Sequence, residues 1–151
     1  LGYRQKHIDS EVSVKINFNP NNNKEKAGLV IFQNDKHYYF LCLTKYNDDY
    51  IVELNKSTDD PHKLILLNKL KIRQIKNGII LKIKSSKKGY TFFSYCDGKN
   101  NIISKDVDPT FLINRITGEY MESIYAMHAT SMDTFTNNKA YFDWFEYRGS
   151  E

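Results

Sequence analysis

The sequence holds 151 residues, the size of one globular domain. Its hydrophobic fraction of 40% and charged fraction of 26% supply enough apolar material for a packed core, which excludes disorder as the main description. The net charge of +4, from 22 Lys and Arg against 18 Asp and Glu, falls short of a nucleic-acid footprint, so no nucleic-acid partner is expected.

Eleven Tyr and nine Phe against a single Trp favour sheet over helix. The longest apolar run, Tyr38 to Leu43, is far below the ~20 residues a membrane-spanning helix needs, so no membrane is expected as a partner. No basic segment followed by an apolar stretch opens the chain, so no signal peptide is expected here, and the expected location is the cytoplasm. The chain begins at Leu1 rather than Met, and an upstream piece is expected. Cys42 and Cys96 lie in apolar strand-like stretches and read as buried free thiols rather than a disulfide, in a reducing compartment.

Period-two alternation dominates the chain. Val12 to Phe18 places apolar residues on one face and polar ones on the other, a half-buried strand of an antiparallel sheet. The run Asn19-Pro20-Asn21-Asn22-Asn23-Lys24 ends it as a loop. Gly28 to Phe32 and His37 to Lys45 are two strands joined through Asn34-Asp35-Lys36 as a hairpin. Asn47-Asp48-Asp49 turns the chain into a strand from Tyr50 to Leu54, and a polar loop with Asp59-Asp60-Pro61 follows. Between Lys63 and Ile75 the spacing of Leu64, Leu67, Leu70 and Ile75 fits a helix or two short strands. The β character of the flanking segments favours the strands.

Ile79 to Lys84 predicts a strand with Ile79, Leu81 and Ile83 inward, returned by Ser85 to Gly89 into Tyr90 to Tyr95. Asp97-Gly98 is the strongest hairpin signal in the chain. Two last strands, Tyr120 to Ala129 and Lys139 to Arg148, flank the polar loop Thr130 to Asn138. Roughly ten short strands with frequent turn signals predict an all-β sandwich or barrel.

Chemistry is harder to find. His7, His37, His62 and His128 are scattered with no second ligand at metal-binding spacing, and the turn Asp97 to Asn101 puts Lys99 where a calcium loop needs oxygen. No metal and no cofactor is expected. Glycoside hydrolysis needs two carboxylates facing one bond. Most acids (Asp48, Asp49, Asp59, Asp60, Asp106, Asp108) read as solvated loop residues. Asp143, between Tyr141 and Phe145 on one strand face, is the exception, read as a buried, hydrogen-bonded carboxylate or else as a perturbed acid. No phosphate loop, nucleophile elbow or Cys-His pair appears. The lysines between Lys63 and Lys88, with Lys82 and Lys84 facing out, read as a solvated face without interleaved aromatics. The rings of Tyr38-Tyr39-Phe40 and of Tyr141 to Tyr147 must split between two strand faces. One set fills the core, and the other covers a sheet or partner domain, or stacks on sugar rings.

In order along the chain, Arg4-Gln5-x-His7, Ala27 to Asn34 with His37-Tyr38-Tyr39, Tyr125-Ala126, and Phe142 to Tyr147 resemble the C-terminal domain of family 43 β-xylosidases. The resemblance covers nearly the whole chain. It implies a concanavalin A-like, antiparallel two-sheet jelly-roll sandwich, attached after a catalytic five-bladed propeller of the same parent chain. Family sandwiches begin upstream of the Arg-Gln-x-His motif, so at least one further N-terminal strand is implied. The chain itself is then non-catalytic. Its role is to dock on the propeller of an enzyme acting on xylo- or arabino-oligosaccharides, and the family's habit of assembling leaves room for a homo-oligomer.

Arg4, Gln5, His7, Gln33, His37 and Tyr38 become candidate carbohydrate or domain-interface contacts. Arg115-Ile116-Thr117-Gly118 matches a family loop, usually Gly-Phe-Thr-Gly, that borders the sugar pocket. Here Ile116 replaces the aromatic, and the segment from Gly118 to Tyr125 is one residue longer than usual. Two other readings stand beside this one: a free-standing carbohydrate-binding module for xylan-type glycans, and a self-sufficient enzyme with Asp143 as its acid.

Overall fold

The alternating segments of the sequence become strands because each can bury one face and hydrate the other. A computed structural model describes residues 2–4, 9–34, 36–112, 124–131 and 138–149. In chain order the strands are β1 (Gly2–Arg4), β2 (Ser10–Asn17), β3 (Lys26–Asn34), β4 (His37–Tyr46), β5 (Asp49–Ser57) and β6 (Leu64–Ile72). They continue with β7 (Ile79–Ser86), β8 (Gly89–Cys96), β9 (Lys99–Val107), β10 (Ile124–Thr130) and β11 (Tyr141–Gly149), and a 3₁₀ turn spans Pro109–Leu112. A six-stranded sheet runs β1-β10-β3-β4-β5-β6 and a five-stranded sheet runs β11-β2-β7-β8-β9. Every pairing is antiparallel. The expected all-β, two-sheet sandwich is the fold found.

The core lies between the two inner faces. Val12, Val14 and Ile16 of β2 and Ile79, Leu81 and Ile83 of β7 meet Leu29 and Ile31 of β3, Leu41 and Leu43 of β4, and Val52 and Leu54 of β5. All of these are fully buried, each contributing about 1.5–3 kcal/mol through removal of its side chain from water. At one end the fill changes from aliphatic to aromatic. Tyr39 contacts Phe92 edge-on at 5.9 Å and Tyr90 at 6.3 Å between ring centres.

Two hairpins close with two-residue turns whose central residues both have positive φ, the geometry that matches strand twist. They are Asn47-Asp48 (49° and 68°) and Asp97-Gly98 (50° and 81°). Asn and Asp tolerate this left-handed region because their short side chains bond locally.

Two expectations require correction. The stretch Lys63 to Ile75 holds one strand, β6 (Leu64–Ile72), rather than two. A bulge places Leu54 opposite Asn68 and Asn55 opposite Leu66, so Leu67 is an extra residue and the period-two phase resets there. That reset produced the three-residue leucine spacing. Secondly, β1 went unread, because three residues are too few for a periodic signal and its ladder with β10 joins segments far apart in sequence.

A second apolar cluster, Val30, Phe40 and Cys42 with Phe32, Tyr38, Leu64 and Ala126, covers the outer face of the six-stranded sheet. Beside it Lys26 Nζ lies 2.6 Å from Glu53 Oε1, with both side chains largely withdrawn from water. Neither charge is left unpaired, as burial requires. Gly28 sits where β3 and β4 press together. A Cβ there would come within 2.0 Å of the Leu41 carbonyl oxygen and 2.7 Å of the Cys42 Cα.

Two outcomes follow from this packing. Gly28→Ala collides with backbone that has nowhere to move and is expected to cost about 3 kcal/mol of stability, read from urea unfolding midpoints. Burial pushes the fully enclosed Cys42 thiol up to about 12. Its folded-state pKa lies above the unfolded one, so the folded state holds the proton longer. That contribution is complete below pH 9 and is lost as pH climbs toward 12. Cys42 should therefore resist a thiol-reactive disulfide reagent at pH 8 until denaturant is added. Rapid labelling in the native protein would contradict this placement.

Candidate functional site: a capped corner of the sandwich

The β3–β4 hairpin carries three of the candidate residues. Phe32 faces Tyr38 across the ladder, and a bulge at Gln33 lets Asn34 pair with His37. Gln33 Oε1 accepts a hydrogen bond from Asn34 Nδ2 at 2.7 Å. Asn34 Oδ1 accepts from the Lys36 amide at 2.9 Å and lies 3.0 Å from His37 Nδ1. Ser57, at the end of β5, accepts from the Tyr38 amide at 2.8 Å and donates to the Lys36 carbonyl at 2.7 Å. The turn is thereby tied to the neighbouring strand, and burial raises the Tyr38 phenol above its ordinary pKa.

The 3₁₀ turn packs over this hairpin. Asp108 caps it, accepting from the Thr110 amide at 2.9 Å and its hydroxyl at 2.7 Å, bonds that hold the Asp108 carboxyl below the usual carboxylate range. Pro109 follows at the first position, where its missing N–H costs nothing. Phe111 then packs in tilted contact at 5.1 Å from the His37 ring and 5.4 Å from Tyr39, with Lys56 Nζ 4.2 Å from its ring centre. The Tyr39 hydroxyl donates to the Asp108 carbonyl at 2.7 Å, and burial together with the Asp108 charge pushes its pKa up to about 12. The sequence reading missed this cap, although Asp-Pro-Thr is a turn-initiating signal.

After the buried Leu112 the chain enters the segment carrying Arg115, Ile116 and Thr117, and it returns as β10 at Ile124. Arg115, Ile116 and Thr117 lie outside the described residues, as do Gln5 and His7. Ile124 pairs with Phe32 on one side and Arg4 on the other. The fold thus gathers Gln33, His37, Tyr38, the Arg4 backbone and both flanks of residues 113–123 at one corner. The same corner includes the start of β6, where Ile65, Leu66 and Leu67 are 50, 45 and 42% exposed beside the buried Ser57–Tyr38 junction.

The acids are placed differently from expectation. Asp143 is not buried and does not share a face with Tyr141 and Phe145. A bulge between Phe142 and Trp144 carries it out to solvent, where it accepts from Asn17 Nδ2 at 2.8 Å. Two acids withdrawn from water were missed, the half-buried Glu53 paired with Lys26, and the buried Glu25 bonded to Asn21 at 2.9 Å and Asn138 at 2.8 Å. Glu53 alternates with Val52 and Leu54 on β5, so a period-two reading turns it to solvent, and Glu25 lies in the loop before β3, where no periodic signal applies. No group of three or more His, Cys, Asp or Glu side chains converges among the described residues. The lysine face also differs from expectation, since rings do interleave with it. Lys82 Nζ lies 6.0 Å from the Phe93 ring centre, because the β7–β8 hairpin sets the two residues opposite each other.

Known proteins share this sequence and architecture. A non-reducing end α-L-arabinofuranosidase of Bacteroides ovatus is 28% identical over 152 residues, covering 98% of this chain and 27% of that protein. The solved structure of a B. ovatus xyloglucan-locus family 43 protein superposes with a TM-score of 0.82 at 27% identity, covering 99% of this chain and 29% of the other. The xylan β-1,4-xylosidase of Bacillus halodurans has the same fold at TM-score 0.81 and 18% identity, over 97% of this chain and 29% of its own. The chain therefore spans under a third of the length of these relatives. Residues 1–148 match the family described as the β-xylosidase C-terminal concanavalin A-like domain, and the chain belongs to that family.

Proposed function

We propose that the chain is the accessory C-terminal domain of a family 43 glycosidase that releases xylose or arabinose from plant oligosaccharides. It docks on the catalytic propeller through the capped corner and lends residues 115–117 to the border of the sugar pocket. The observation that carries the reading is the match of residues 1–148 to a domain found within much longer glycosidases.

The geometry of the corner supports the docking. Ile65, Leu66 and Leu67 are each about half exposed along the β6 edge, with Ile65 beside Lys56 and Leu66 beside Asn55, and exposed aliphatics of this kind mark an interaction site. His37, Phe111 and Lys56 beside them give a rim with both ring and charge. Gln33, His37, Tyr38 and Arg4 are then interface contacts, with Gln5 and His7 following Arg4 in the same segment. Ile116, standing where the family loop usually carries an aromatic, offers a sugar an aliphatic side chain rather than a ring face. An upstream strand of the parent would extend the six-stranded sheet at β1, which forms its edge. Two buried free thiols support the cytoplasm as the parent's compartment.

Separately expressed catalytic domain and this chain are expected to co-elute as a 1:1 complex. The double variant Leu66→Asp, Leu67→Asp should weaken that complex about tenfold or more, as charge placed in an interface core does. Deleting the sandwich from the parent should lower kcat/KM on an aryl glycoside. Failure of the wild-type pieces to associate, with turnover untouched by the deletion, would overturn the proposal.

A further inference from the structure

The outer face of the five-stranded sheet is remote from the capped corner's contacts, and its side chains form an ordered pattern. Strand register aligns Trp144, Lys15, Ile80, Tyr95 and Asn100 in one row across β11, β2, β7, β8 and β9. Val14, Ile16, Ile79 and Leu81 point into the core, so Lys15 and Ile80 between them point out. The next row reads Glu146, Ser13, Lys82, Phe93 and Ile102. Trp144 reaches this face only because of the β11 bulge. Unbroken alternation from Tyr141 would have turned it inward.

Trp144 and Tyr95 remain 40 and 45% exposed, and between them lies a shallow groove of about 410 Å³ floored by Ile80 and Ser13. Three inter-strand steps separate the two rings, about 14 Å, more than one sugar ring can bridge. The groove is lined by polar groups of both signs. Lys82 Nζ lies 3.5 Å from Glu11 Oε1, and Arg148 is paired with Glu146. The Asn100 amide adds neutral donors and acceptors at the far side.

We infer that this groove is a glycan-binding platform, in which Trp144 and Tyr95 stack on the faces of a neutral oligosaccharide chain laid across the strands. Apolar ring faces set in a concave surface with a few convergent polar groups are what a small-ligand site requires. The interleaved charges argue against a protein partner, because interface cores are depleted of charged residues while sugar hydroxyls bond to carboxylate, ammonium and amide alike. Glu11 and Glu146 pair with Lys82 and Arg148, so the groove's lining carries no excess of cations for a polyanion to neutralise. The inference is independent of docking at the corner.

Trp144 is the sole tryptophan, so its fluorescence reports on the groove directly. Titrating the chain with soluble arabinoxylan and xyloglucan should give a saturable blue shift with at least one, and a weaker response to polygalacturonate. Tyr95→Ala should weaken binding about tenfold at unchanged thermal midpoint, and Trp144→Ala should abolish retardation in affinity gels containing the same polysaccharide. No shift with either neutral polymer, a stronger response to polygalacturonate, or affinity unchanged by both variants would overturn the inference. Variants of this groove should leave association with the catalytic domain intact, whereas Leu66→Asp, Leu67→Asp should leave the fluorescence response intact.

Discussion

The inner faces of two antiparallel sheets can be dry only if every strand keeps its apolar residues in phase. The central strands β2 and β7 meet this constraint without interruption. Val12, Val14 and Ile16 stand opposite Ile83, Leu81 and Ile79 along one ladder, and all six are fully buried. Their opposite faces carry Glu11, Ser13, Lys15, Lys82 and Lys84. Once this ladder is fixed, the register of β11 and β8 follows from pairing, and with it the arrangement of everything on the outer surface.

Candidate binding surfaces occur where the phase is broken. The bulge at Gln33 turns the β3–β4 hairpin so that His37 meets Phe111. The reset at Leu67 leaves three successive aliphatics exposed on an edge strand. The break between Phe142 and Trp144 moves Trp144 from the core side to the outer groove and sends Asp143 to solvent. Each bulge gives up one ladder position and re-aims a side chain in return, a trade found where sheets meet ligands or partners. The two surfaces differ in chemistry as well as place. One is a run of exposed aliphatics beside a ring-packed cap and suits burial by a protein. The other mixes rings with both signs of charge and suits a polar, uncharged ligand.

Membership of the glycosidase-associated family gives both surfaces a common setting. In the reading proposed above, a domain that spans under a third of its relatives' length turns one face to its neighbour and another to substrate polymer. Tethering of this kind raises the local concentration of substrate near a pocket without any new catalytic group. The acids withdrawn from water fit a structural part. Glu53 is matched by Lys26, and Glu25 is held by Asn21 and Asn138.

The sequence alone determined the fold class, nearly all the strands, the inward residues of β2 and β7, the Asp97-Gly98 hairpin and the family. These features depend on local alternation, turn chemistry and short motifs. It also named Gln33, His37 and Tyr38, through motif rather than physics. Tertiary structure alone decided which bulges occur, that Lys63 to Ile75 holds one strand, that Asp143 is exposed, and that Trp144 and Tyr95 share a groove. Residues 49 positions apart in the chain become row-mates only through three successive ladders across two intervening strands, and no local pattern encodes that pairing.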